Sequence, residues 1–183
     1  MCRARGGRKS KPTGYTGKLL EADIFGVCRA ECTGGQNEYV EFWPAVIEVE
    51  RNQPGDPTSP HSRPINALRV LIADELGVEE REVGFFTAVG SALDLFHKVD
   101  GFFKWGRVVA FIDITLDLEG KKPHGTKFFV TESDFYTEDH EINAKRLREL
   151  AYGIATFLQQ RRPDKQSETE IHPNRLRMQS AIK

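Results

Sequence analysis

Cysteine is scarce in this chain, with three among 183 residues, and so few exclude a disulfide framework. Cys28 and Cys32 stand in a Cys-x3-Cys spacing, but no second Cys/His pair follows at zinc-site distance. The histidines His61, His97, His124, His140 and His172 are scattered singly, so packed thiols are expected rather than a structural zinc. Long apolar runs are missing as well: none approaches the ~20 residues of a membrane span. The opening Met1–Lys11 leads into no apolar segment, so no secretory signal is expected and a cytoplasmic setting follows. Familiar catalytic signatures are also absent. There is no glycine loop ahead of Lys-Ser/Thr, no Gly-x-Ser-x-Gly elbow and no His-Glu-x-x-His. Gly84 and Gly90 are spaced wrongly for a dinucleotide site, and Cys28 and Cys32 lack the Pro-Cys-x-x-Cys setting of a zinc deaminase.

Acid is missing from one place in particular. Residues 1–20 carry Arg3, Arg5, Arg8, Lys9, Lys11 and Lys18 without one Asp or Glu, and residues 161–183 carry six basic groups against three acids. The middle is left with 14 basic and 24 acidic residues, a net charge of −10. Basic tails on an acidic body can hold phosphates loosely, but they are not the basic stripe of a static nucleic-acid surface. With 39% hydrophobic and 29% charged residues, we expect a basic disordered tail at 1–17, a single domain at 18–162 and a polar tail at 163–183.

Within the domain, residues 18–50 read as an N-terminal β region. Alternation is clearest where Val46, Glu48 and Glu50 oppose Ile47 and Val49, and Pro44 suggests an edge strand or a break. A proline-rich loop at 52–64 leads into a helix with Ile65, Leu68, Leu71, Ile72 and Leu76 on one face, stopped by Gly77. The stretch 83–90 follows an acidic turn, strand candidates lie at 99–105, 107–118 and 126–131, and an amphipathic helix runs from about Glu138 to Arg161. Helix, central β-meander and helix predict an α+β (mixed α/β) fold with a mostly antiparallel sheet flanked by helices.

Two acids stand out in this pattern. Val109, Phe111, Asp113, Thr115 and Asp117 share one face of their strand, and Val108, Ala110, Ile112, Ile114 and Leu116 share the other. The second face is wholly apolar and should pack on a helix, while the first turns polar from Asp113 onward. A tight turn at Gly106 pairs Asp100 with residues 112–113, so two carboxylates converge. Such a pair shares a proton or holds a cation, and with oxygen ligands alone the natural cation is Mg²⁺ or Mn²⁺. The competing reading makes Asp113 and Asp117 the solvent face of an antiparallel strand, and Asp100 a turn former before Gly101.

An Asp on one strand, a tight turn, then an acid inside an apolar strand with an amphipathic helix beyond resembles the PD-(D/E)xK nuclease superfamily. The resemblance covers about residues 65–160 and implies a restriction-endonuclease-like core. It also implies Mg²⁺ held by Asp100 and Asp113 and a lysine that positions the attacking water. The family's lysine belongs two residues after the second acid, where this chain has Thr115. Lys127 on the next strand is the first substitute and Lys98 the second; Glu75 or Asp74 stands in for the family's helix acid. The resemblance thus implies a Mg²⁺-dependent endonuclease acting on DNA; the lack of a long apolar run leads us to expect no membrane partner. The alternative is a non-enzymatic binding or assembly protein, of phage or mobile-element type, carrying an inactive nuclease-like fold.

Overall fold

The computed structural model describes residues 14–29, 39–115 and 127–162. Among them the chain builds an open four-stranded mixed sheet flanked by helices, an α+β architecture. The elements run α1 (Gly14–Phe25), α2 (Phe42–Arg51), α3 (Arg63–Leu76), β1 (Val83–Thr87), α4 (Ala92–His97), β2 (Gly101–Trp105) and β3 (Val108–Ile114). They continue with β4 (Lys127–Val130), the single-turn α5 (Glu132–Phe135) and α6 (Ala144–Arg161). No helix among the described residues is long and apolar enough to cross a membrane.

The sheet follows chain order, β1-β2-β3-β4. The first two pairings are antiparallel, and Gly101 faces Ile112 across the hairpin turned at Gly106 (φ 60°). β4 instead lies parallel to β3, with Asp113 beside Phe129, so the sheet is not a simple meander. A parallel neighbour requires a crossover; the linking residues 116–126, Asp117 among them, lie outside the described residues.

Both faces of the sheet are covered. Ala110, Ile112 and Ile114 join Phe103 and Trp105 against Ile65, Leu68 and Ile72 of α3 and Leu147, Ile154 and Leu158 of α6. This is the apolar strand face expected to meet a helix. On the other face Phe102 and Phe111 pack against Ala45, Val46 and Val49 of α2 and Leu93 of α4. α3 agrees with its sequence reading: Pro64 lies in the first turn, and Gly77 closes the helix at φ 65° while donating to the Asp74 carbonyl at 2.9 Å. α6 starts later than expected, because Asn143 caps it by accepting from the Arg146 N–H, while His140 (φ 58°) and a Tyr136–Ile142 bridge occupy the approach.

The N-terminal β region is corrected. Residues 14–25 and 42–51 are helical, and the first helix begins inside the stretch expected to be a disordered tail. Phe42, Ala45, Val46 and Val49 fall at helical spacing and turn inward, leaving Trp43 and Ile47 exposed. Pro44 sits in the first turn, where a helix lacks a use for its N–H. The alternation seen in the sequence was a helical stripe sampled over too short a window.

A buried arginine ties α3 to the sheet. Arg69 (3% exposed) donates to the Glu80 carbonyl, to the Val83 carbonyl at 3.3 Å and to Asn66 Oδ1 at 3.1 Å. Arg69→Met should cost about 2–3 kcal/mol in urea unfolding, because two carbonyls lose their donor. Its ion-pair partner Glu80 is 64% exposed, so Glu80→Gln should cost under ~1 kcal/mol. Equal losses for the two variants would show that the carbonyl bonds contribute little.

Candidate metal site

Asp100 reaches its position through backbone constraints. Ser91 Oγ caps α4 by accepting from Leu93 and Asp94, and Lys98 ends that helix in the left-handed region at φ 57°. The chain then enters the sheet: Asp100 N–H donates to the Ile112 carbonyl at 3.1 Å, and Ala88 N–H donates to the Asp100 carbonyl at 2.8 Å. Gly101 lets the strands close beside it, since a Cβ there would stand 2.8 Å from Phe85 Cζ and 3.0 Å from the Phe86 carbonyl.

The side chain of Asp100 is 3% exposed, and its Oδ2 accepts from Ile114 N–H at 2.7 Å. Continuing the hairpin register by one pair sets it across from Asp113, which is also buried. The carboxyl of Asp100 is pushed up to about 9, first by burial and then by the charge of Asp113. Ile114 N–H opposes that rise; Glu21 and a hydrogen bond to Asp113 add to it. Asp100 therefore keeps its proton near neutral pH and turns a hydrogen bond toward Asp113.

Two further acids close on this pair. Glu21, half-buried on α1, is raised by burial and then by Asp94 and Asp113, while Lys18 and Lys98 pull it back down. Asp94 of α4 accepts the Gly90 N–H through Oδ2 at 2.9 Å. One carboxylate oxygen from each of Glu21, Asp94 and Asp100 lies within 4.8 Å of the others. Around a Mg²⁺ or Mn²⁺ ion opposite oxygens stand about 4.2 Å apart and adjacent ones about 3 Å, so these three would have to draw together to share one cation. The donors are all oxygen, which suits a hard divalent ion.

No family model, curated protein or solved structure matches this chain.

The arrangement brings Asp100 and Asp113 together, and burial removes Asp113 from the solvent-face reading. Asp74 and Glu75 are exposed near the end of α3 and are not in the acidic group, whose helical members are Glu21 of α1 and Asp94 of α4. Lys98 is exposed, with Nζ donating to the Leu95 carbonyl at 3.0 Å, and its charge reaches Glu21. Lys127 is in register with Phe111, next but one to the Phe129 that pairs with Asp113; its side chain lies outside the description. Thr115 is buried, and its N–H donates to the Val130 carbonyl at 2.7 Å. Cys28 is buried with Sγ donating to the Asn52 carbonyl at 3.3 Å, a packed thiol, and Cys32 lies outside the described residues.

Glu21 and Asp94 were missed in the sequence. Glu21 was hidden by reading its helix as a strand. Asp94 carried a visible sign, since Ser91-Ala-Leu-Asp94 has the spacing of a capped helix start.

Proposed function

We propose that this protein is a Mg²⁺- or Mn²⁺-dependent phosphodiesterase acting on DNA. The observation that carries the reading is the meeting of Glu21, Asp94 and Asp100, backed by buried Asp113, at the start of β2. Asp100 is too buried to ionise at neutral pH beside Asp113, and a divalent cation supplies the compensation that would release its proton. Glu21, Asp94 and Asp100 would hold the ion, and Asp113 would accept a hydrogen bond from Asp100 until the ion replaces that proton. A metal bound there polarises a phosphoryl oxygen and lowers the pKa of a bound water. Lys98 or Lys127 would orient the water or the phosphate, and the basic stretches at residues 1–20 and 161–183 would hold the DNA backbone.

Supercoiled plasmid tests this directly. Wild type should nick it with Mg²⁺ or Mn²⁺ and lose activity in chelator, while Asp113→Ala should lower the rate by at least ~100-fold. Equal cleavage by the two proteins would remove Asp113 from the mechanism.

A second reading is favoured by Thr115, buried where the resembled family has its lysine. In it the site binds a metal without cutting, and the protein works as a binding or assembly module. Metal-dependent stabilisation with no cleavage by wild type would select it.

A further inference from the structure

A second site lies away from the four acids. Between the end of α1, the proline-rich loop before α3 and the outer edge of β1 is a cavity of about 330 Å³. None of Glu21, Asp94, Asp100 or Asp113 lines it. Its apolar wall is made by Phe25, Val27, Pro54, Pro57, Pro60 and Phe85. The rings of Phe25 and Phe85 meet at 49° with centroids 5.6 Å apart, forming an aromatic corner.

The wall is held in place by hydrogen bonds. Phe85 N–H donates to the Pro57 carbonyl at 2.9 Å, which pins the loop along the β1 edge and covers that edge. Gln53 accepts the Thr87 N–H at 2.9 Å and donates to the Thr87 and Val49 carbonyls, using both ends of its amide. Thr87 Oγ1 donates to the Gly26 carbonyl at 2.8 Å, fastening the segment after α1 to the strand. The cavity is thus preformed, at the small end of the range for ligand pockets.

Its charge has one sign. Asp23 and Asp56 line the cavity, both exposed, with His61 at the same loop. Thr58 donates to Asp56 Oδ1 through its N–H and its hydroxyl, each at 2.8 Å, and these bonds hold that carboxyl below its ordinary range. Arg69, the cation acting on Asp56, is buried against Glu80 and Val83. Arg63, whose field reaches Tyr136 as that of Asp23 does, is not part of the lining. Ser62 also belongs to the lining, and its buried Oγ has no hydrogen-bond partner among the described residues.

We infer that this cavity binds small organic cations: a protonated amine carried on a one-ring apolar body. The ring packs on the wall that Phe25, Phe85 and the prolines present, and the ammonium lies toward the two exposed carboxylates. Anions of the same shape meet Asp23 and Asp56 and are excluded.

Titration of the ¹⁵N-labelled full chain with 2-phenylethylammonium, 2-phenylethanol and phenylacetate tests the inference. The ammonium should shift the amides of Gly26, Gly55 and Thr87 saturably, with a Kd of about 1 mM, as suits a fragment. The alcohol should bind about tenfold more weakly, and phenylacetate should cause no saturable shift. Asp23→Asn with Asp56→Asn, both on exposed positions, should weaken the ammonium about tenfold, and Val27→Trp, also exposed, should block it. No saturable shift with the ammonium, equal affinity for the alcohol, or binding unchanged by the paired neutralisation would each overturn it.

Discussion

Replacing Asp100 by Asn is expected to stabilise the metal-free protein at neutral pH by on the order of a few kcal/mol. In the unfolded chain this carboxyl titrates near its model value of 3.8, and in the native protein it is raised to about 9. Below the lower value both states hold the proton and burial of Asp100 costs little. As pH rises through the interval only the native state keeps it, so each unit removes about 1.4 kcal/mol from stability until the native group ionises. Asn removes this dependence. It also keeps the local bonds, since its Oδ1 can accept from Ile114 N–H and its Nδ2 can donate to Asp113 as the protonated acid does. In chelator, the Tm advantage of Asp100→Asn should therefore grow from about pH 5 to about pH 8. Adding Mn²⁺ or Mg²⁺ should raise the wild-type Tm and leave the variant near its own value, because binding to the native state alone is stabilising. A constant difference between the proteins across that pH range would show that Asp100 is not a buried, proton-holding acid.

Phe102→Ala is expected to cost about 3–5 kcal/mol, the largest loss for a single core position on this face. Phe102 is wholly buried, stacks on Phe86 with centroids 5.0 Å apart and 9° between planes, and meets Phe111 edge-on at 5.7 Å. Phe111 in turn meets Phe42 of α2 at 5.1 Å, so the ring lies under the helical layer that includes α2 and α4. Ala92 and Leu93 of α4 belong to the same core cluster, and α4 carries Asp94. Urea unfolding gives the cost, and metal affinity measured on the folded variant should fall with it. A loss below ~1 kcal/mol would mean that the helices on this face are only loosely packed.

The acid pair was legible because a hairpin is local. Gly106 permits the tight turn, the turn sets the register, and the period of two then puts Asp113 on one face and Ile112 on the other. The same logic found α3, where Pro64 and Gly77 mark both ends. It failed for Phe42–Arg51, where β-branched residues beside a proline imitate a strand and the helical stripe is short. It also missed the direction of the strand at 127–130, which runs parallel to β3 rather than continuing a meander, since nothing in a four-residue run records which way it pairs.

Sequence alone determined the α+β class, the hairpin, the apolar face of β3 and the approach of Asp100 to Asp113. The class follows from the order of elements along the chain, and the rest from residues within one turn or one pair of adjacent strands. Tertiary structure decided that Asp113 is buried, that Glu21 and Asp94 join the pair, and that an apolar cavity with two carboxylates stands under the proline-rich loop. Those depend on α1, α2 and α4 docking against a sheet formed later in the chain. Packing between distant segments is set by shape and burial over the whole molecule, which no local spacing encodes.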